Sequence, residues 1–290
     1  MFIYLNGSIV DEKEAAISPF DHGYIYGMGV FETFRTYGGH PFLFDDHLER
    51  LRNGLSEMGI EWRETRESLL EALSELLAKN DLEDASIRLN VSAGIAANVP
   101  QADVYRDPTT IVFLRRLPAT IPNHKAVKVL STVRNSPEGE VRLKSHHFFN
   151  NILGKREVGP DPDTEGVFLT ENGHLAEGVT SNIFWVKNGV VFTPSIDTGI
   201  LNGITRQFVL TLCEENRIPF KTGKFKVDAL YDSEEVFITN SGQEIVPINR
   251  VDLENLPSHE GKVTQRLKQW YHTYRNHLWS RNEMGRKGAR

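Results

Sequence analysis

Four short segments carry residue types that can do chemistry together. Lys144 stands in Val141-Arg-Leu-Lys-Ser-His-His-Phe-Phe-Asn-Asn, and Glu177 stands in the turn-like Leu175-Ala-Glu-Gly-Val-Thr-Ser-Asn. Asn202-Gly-Ile-Thr-Arg opens a helical pattern, and Thr239-Asn-Ser-Gly-Gln-Glu is a second small-polar loop. An amine, a carboxylate, a glycine-led helix start and a small-polar loop suit one cofactor, pyridoxal 5'-phosphate. The amine forms a Schiff base, the carboxylate pairs with the pyridine nitrogen, and the helix N-terminus holds the phosphate.

Each residue also has a plainer reading. A single lysine is usually a solvated charge. Leu143, Phe148 and Phe149 surround Lys144 with apolar side chains, and Arg142, His146 and His147 add positive charge. Both influences favour the neutral, nucleophilic amine. Glu177 reads either as a surface turn residue or as the partner that keeps a pyridine nitrogen protonated. The N–H groups of Ile204 and Thr205 and the Thr205 hydroxyl suit a phosphate, with Asn240 and Ser241 serving it from the second loop. Arg50 reads as a solvated helix charge or as a bidentate phosphate contact.

Other chemistries fit poorly. Gly27-Met-Gly-Val-Phe-Glu lacks the third glycine of a dinucleotide loop and leads into a strand. Its glycines make a turn or let backbone pass close to something. His146 and His147 are adjacent, no paired-Cys or His-x-x-x-His spacing exists, and no metal site is expected. No Gly-x-Ser-x-Gly elbow is present. The net charge of −6 argues against a nucleic-acid surface. The basic stretch Arg281 to Arg290 reads as a frayed terminus. No apolar run reaches the ~20 residues of a membrane span. The first residues carry neither the basic stretch nor the cleavage site of a signal peptide. The single cysteine, Cys213, reads as a buried thiol, and the cytoplasm is the expected compartment.

These residues need elements to position them. With 290 residues, two domains or one large barrel are expected. Asn6-Gly7 marks an opening hairpin, and Val30 to Tyr37 a strand, with Pro41-Phe-Leu-Phe as its partner beyond Gly38-Gly39. A helix capped by Asp45 or Asp46 follows, then a second helix from Thr65. Ser86 to Ser92 and Thr110 to Arg115 read as strands. Pro118-Ala-Thr-Ile-Pro is the expected linker, within 118–123, between an N-terminal domain of residues 1–117 and a C-terminal domain of residues 124–290. The second half reads as strands with Asn-Gly turns, a helix from Thr205 to Asn216, a strand from Glu235 to Thr239, and a last helix with Val263, Leu267 and Trp270 inward.

The chain resembles the class IV aminotransferase family. The likeness runs from Asn6-Gly7 to Pro247 and rests on Phe20-Asp-His-Gly-Tyr-Ile-Tyr-Gly-Met-Gly-Val-Phe-Glu-Thr, His47-Leu-Glu-Arg-Leu, and the Lys144, Glu177, Gly203-Ile-Thr-Arg and Thr239-Asn-Ser segments. It implies pyridoxal-phosphate fold type IV: two α/β domains with the cofactor in the cleft between them, the second a pseudo-barrel holding most cofactor contacts. It further implies a homodimer. Lys144 matches the Schiff-base lysine and Glu177 the pyridine partner, while Arg50, Ile204, Thr205 and Ser241 match the phosphate cup. Three positions depart from relatives: Met28 in place of an aspartate, Phe149 in place of the branched-chain enzymes' tyrosine, and Ser92-Ala93-Gly94 where D-amino acid enzymes carry an arginine. His147 and Asn150 are the candidates to replace that tyrosine.

Within the family, Arg134 to Asn151 is most similar to the 4-amino-4-deoxychorismate lyases of Bacillus-type bacteria. That likeness implies a lyase forming 4-aminobenzoate and pyruvate, a step toward folate, with Lys144 as the base at C4. The substrate has two carboxylates, for which Arg88 and Arg134 are candidates; each reads equally as a structural ion-pair partner. The rival readings are a branched-chain or D-amino acid aminotransferase, and a non-catalytic binding protein of the same fold.

Overall fold

The structure is a computed structural model that describes residues 1–96, 104–118, 121–256 and 261–286. Residues 119 and 120 of the expected linker lie outside the described residues. Contacts divide the chain into two compact units. The first is Met1–Pro118 with Leu143–His147 and Arg275–Glu283; the second is Ala119–Arg142 with Phe148–Tyr274 and Met284–Arg290.

The first unit contains β1 (Phe2–Leu5), β2 (Ser8–Asp11), α1 (His22–Tyr26), β3 (Gly29–Tyr37), β4 (His40–Pro41), α2 (Phe44–Glu57), α3 (Arg66–Lys79), β5 (Ala85–Ser92) and β6 (Thr109–Arg116). Its sheet runs β2-β1-β6-β5-β3-β4. Strand alternation gives this sheet two different faces. Val30 and Phe34 of β3, with Ile87, Leu89 and Val91 of β5, join the α2 and α3 leucines in one core. Gly29, Phe31 and Thr33 point the other way, opposite Ser92, Asn90 and Arg88 of β5.

β4 stops at Pro41, so the expected Pro41–Phe44 strand is cut short. Leu43, at φ 54°, turns the chain into α2 and is its N-cap in place of Asp45 or Asp46. Those two aspartates sit in the first turn, where Asp45 pairs with Arg66 and Asp46 with Arg281. The basic tail is therefore not frayed at its start: Arg281–Arg286 forms a 3-10 turn, and the Arg281 N–H donates to Asp46 at 2.9 Å. Residues 287–290 lie outside the described residues. Thr65 caps α3 through a capping box with Ser68.

The second unit contains β7 (Lys125–Val129), α4 (Phe149–Val158), β8 (Thr164–Leu169), β9 (Leu175–Gly178), β10 (Asn182–Lys187), β11 (Val190–Pro194), α5 (Ile204–Glu215), β12 (Phe220–Gly223), α6 (Asp228–Tyr231), β13 (Glu235–Asn240), β14 (Glu244–Val251), β15 (Glu254–Asn255) and α7 (Lys262–Tyr274). Its sheet runs β12-β11-β10-β13-β14-β7-β8-β9, with β15 on β14. Helices α5 and α7 meet through Phe208 and Tyr271, ring centroids 5.6 Å apart. The buried face of α7 is Thr264, Leu267 and Tyr271, one residue on from the expected Val263 and Trp270, which are only half-buried. Cys213 is buried in α5, and burial pushes its thiol up to about 12.

Among the described residues, no helix is long and apolar enough to cross a membrane, and no group of three His, Cys, Asp or Glu is placed to hold a metal.

Candidate active site

In the first unit, β4 leaves the Gly29–Phe31 edge of β3 uncovered, and the Lys144 segment takes that place. The Phe31 N–H donates to the Lys144 carbonyl at 2.8 Å, and the His146 N–H to the Gly29 carbonyl at 3.0 Å. Val30 faces Ser145 as an antiparallel bridge. This register puts Lys144 beside Phe31 and His146 beside Gly29, on the sheet face that carries Arg88 and Asn90. Lys144 Nζ lies 4.6 Å from the Phe31 ring centroid, and the Arg88 guanidinium carbon 3.7 Å from it. An amine and a guanidinium thus share one aromatic platform.

Glycine is needed where this segment docks. A Cβ on Gly29 would come within 2.4 Å of the His146 ring, and one on Gly27, at φ +71°, within 2.7 Å of His147. The Gly27-Met-Gly motif is therefore a close-approach device for the histidines after Lys144.

Arg88 has no carboxylate within ion-pair distance among the described residues. Burial and the nearby Arg115 lower its pKa from the ordinary arginine value. On the opposite sheet face, Glu32 is fully buried. Its oxygens accept from Arg50 Nε and NH2, each at 2.7 Å, and it lies 2.6 Å from His47 Nδ1. Burial alone would raise Glu32, but Arg50 and His47 outweigh it and hold the carboxyl at about 2. The Arg50 guanidinium is thereby fixed in a plane.

In the second unit, Glu177 is carried by β9. Its Oε1 accepts from Arg134 Nε at 2.9 Å, with Arg142 Nε at 3.7 Å, and its Oε2 accepts from the Leu201 N–H at 2.9 Å. Arg134 NH1 also donates to Asn150 at 2.6 Å and Asn151 at 3.3 Å. Burial pushes the Glu177 carboxyl up, opposed by Arg134, Arg142 and the Leu201 N–H. An anion held at a raised pKa is suited to sharing a proton with a ring nitrogen.

Gly203 caps α5 and, having no side chain, makes no side-chain capping bond to the first turn of this helix. A Cβ on Gly203 would meet Asn182 Oδ1 at 2.1 Å. Thr205 Oγ1 lies 3.5 Å from Ser241 Oγ, which brings two of the expected phosphate residues together. Thr239, two residues earlier, has a buried hydroxyl with no hydrogen-bond partner among the described residues. An uncapped helix start, converging hydroxyls and an orphaned buried hydroxyl fit a phosphate.

The family profile described as amino-transferase class IV matches residues 29–251, and the chain belongs to that family. The aminodeoxychorismate lyase of Bacillus subtilis is 47% identical, the alignment covering 93% of this chain and 93% of that protein. A putative branched-chain-amino-acid aminotransferase of Methanocaldococcus jannaschii is 35% identical over 93% of this chain and 94% of its own. The crystal structure of the Thermoproteus uzoniensis branched-chain aminotransferase with norvaline superposes with a TM-score of 0.84 at 28% identity, covering 94% of this chain and 93% of that one. The fold is α/β, of the type these enzymes share.

Several expected site residues have structural partners. Arg134, read equally for a substrate carboxylate or as a structural ion-pair partner, takes the second part, pairing with Glu177 of β9 across 43 positions of sequence. Asn240 Oδ1 accepts from the Gly242 and Gln243 N–H groups at 3.0 and 2.7 Å, so its side chain shapes the Ser241 turn. Asn150, considered for the missing tyrosine's role, binds Arg134 and the Val133 carbonyl. His147 Nε2 lies 3.4 Å from the Tyr26 carbonyl. Sequence reasoning missed Glu32, His47, Asn90 and Arg142 as supporting residues.

Proposed function

We propose that this chain is a pyridoxal-phosphate-dependent lyase that converts 4-amino-4-deoxychorismate to 4-aminobenzoate and pyruvate. The observation that carries the reading is the shared face of β3 and β5. There, a lysine amine and a guanidinium with no carboxylate at ion-pair distance among the described residues flank one aromatic ring. Similarity to the Bacillus subtilis lyase selects this reaction within the family.

Bound pyridoxal phosphate supplies an electron sink for the carbon that loses a proton. Lys144 would hold the cofactor through its amine, and the same amine would serve as the base for the substrate's C4 proton. Glu177 holds the proton on the pyridine nitrogen, and Arg134 and Arg142 hold Glu177. The Ile204 and Thr205 N–H groups, the Thr205 and Ser241 hydroxyls and Arg50 bind the phosphate, with Asn240 forming the loop that presents Ser241. Arg88 holds a substrate carboxylate. Loss of the C4 proton and cleavage of the C3–O bond together complete an aromatic ring; the departing enolpyruvate takes up one proton, equivalent to the one lost from C4, and tautomerises to pyruvate.

The exposed apolar residues Phe20, Tyr24, Ile25, Tyr26 and Ile95 support a homodimer that covers them. The two compact units stand as the two domains of this enzyme, in the cytoplasm. Folate synthesis is the process served. Substrates are small molecules, with neither nucleic acid nor membrane as partner.

The test is pyruvate release from aminodeoxychorismate with no oxo acid added, compared with amino transfer from L-leucine or D-alanine to 2-oxoglutarate. Repeated turnover in the first assay supports the lyase. Fast amino transfer with little 4-aminobenzoate formed would replace it with the aminotransferase reading.

A further inference from the structure

Arg88 is oriented by two side chains that the proposed chemistry has not used. Asn90 lies two residues along β5 on the same face, and its Oδ1 is 3.4 Å from both Arg88 Nε and Arg88 NH2. The same oxygen lies 3.2 Å from His146 Nε2. Asn90 stands directly across the ladder from Phe31. The Phe31 ring lies against the Arg88 guanidinium, and the His146 ring stacks on Phe31 with centroids 6.4 Å apart and planes 27° from parallel.

The donor assignments are mutually consistent. Arg88 can only donate, so the Asn90 atom facing it is the amide oxygen. That oxygen can only accept, so His146 carries its proton on Nε2. Burial and then Arg88 push the His146 ring down to about 4, so it donates to Asn90 without adding a like charge beside the guanidinium.

A guanidinium recognises a carboxylate best when its plane and edge are fixed in advance. Here Phe31 sets the plane and Asn90 takes the Nε–NH2 edge, which leaves the NH1–NH2 edge for a bidentate contact. Gly29 is what lets His146 reach its seat, since a Cβ there would overlap the imidazole.

We propose, building on the assignment of Arg88 to a substrate carboxylate, that Asn90 and His146 are positioning residues that fix the Arg88 guanidinium for that carboxylate. His146 braces Asn90, and Asn90 braces Arg88. Both act on substrate affinity through Arg88 rather than on the proton transfer at Lys144.

The experiment is a double-mutant cycle on the holoenzyme, using Arg88→Lys, His146→Phe and both together. His146→Phe keeps an aromatic ring on Phe31 and removes the Nε2–H donor to Asn90 together with Nδ1. Two readouts are taken: KM and kcat for aminodeoxychorismate, and the dissociation constant of benzoate, with benzyl alcohol as the uncharged control. In the otherwise native protein, His146→Phe is expected to raise KM and the benzoate constant about tenfold, with a smaller change in kcat. In the Arg88→Lys background it should add little, because the residue acts through Arg88.

Equal effects in both backgrounds, or none in either, would overturn the proposal. Should His146→Phe not fold, Asn90→Leu carries the same cycle with the same expectations. If the enzyme does not turn over aminodeoxychorismate while benzoate binding still shows the coupling, the lyase reading fails and the positioning role stands.

Discussion

Arg134 Nε donates to Glu177 Oε1 at 2.9 Å, and the two side chains are only 5% and 6% exposed. A pair this buried is held by mutual neutralisation: removing one member leaves an uncompensated charge. Replacing Arg134 with methionine keeps the volume and deletes the charge. Arg142, farther off, and the Leu201 N–H remain, so Glu177 is partly compensated. The expected loss of stability is about 3 kcal/mol, at the low end of the range for broken buried pairs. Urea unfolding measures it, and a loss below about 1 kcal/mol would show that Arg142 alone suffices.

Glu177→Gln separates binding from chemistry. The amide preserves shape and can keep the Leu201 contact through its oxygen, at the expense of the Arg134 contact, but it no longer holds a proton on a pyridine nitrogen. Cofactor retention should persist while the rate falls by roughly 100-fold, the scale of a lost transition-state charge contact. An unchanged rate constant would remove Glu177 from the mechanism.

Lys144→Ala should abolish both turnover and the visible absorbance of lysine-bound cofactor. Borohydride reduction of the native holoenzyme followed by peptide mapping should label the peptide containing Lys144. A label on any other lysine contradicts the assignment.

Arg50→Ala and Thr205→Ala test the proposed phosphate cup. The phosphate does not react, so contacts to it would be equal in ground and transition states, and cofactor affinity should fall more than kcat measured at saturating cofactor. Both variants retaining cofactor through dialysis would argue against the phosphate cup.

Acid should unfold the first unit through Glu32. Its folded value of about 2 lies below the ordinary 4.5, so its stabilisation is complete above pH 4.5 and lost as pH falls toward 2. The shift corresponds to stability on the order of 3 kcal/mol. Burial lowers the His47 pKa below the ordinary histidine value, so protonation of His47 in the unfolded chain adds in the same direction. Glu32→Gln should lower stability at neutral pH and flatten its acid dependence. An equally steep acid transition in the variant would place the responsible carboxylate elsewhere.

Local chemistry made much of this fold legible. The strands from Val30, Ser86 and Thr110, the Thr65 cap and the helix after Gly203 announce themselves through alternation, capping residues and periodicity. Helix α4 did not, because Phe149-Asn-Asn-Ile opens it with exposed apolar and amide residues rather than a cap. Leu43 was hidden as a cap because a left-handed leucine has no sequence signature. The chemical residues of the site were visible as types at spacings. Their supports were not: Glu177 with Arg134, and Arg88 with His146, are joined only by tertiary pairing, which leaves no periodic trace.

The segment Leu143–His147 completes the edge of β3 although it follows Pro118 by more than twenty positions. A polypeptide ending at Pro118 would lack it. The amide and carbonyl groups of Gly29 and Phe31 would then face outward, beside glycines that invite another backbone to approach. Expressed by itself, that fragment should self-associate through strand addition. Supplying a peptide spanning residues 140–148 in trans should suppress the association, making the backbone around Lys144 a guard against aggregation.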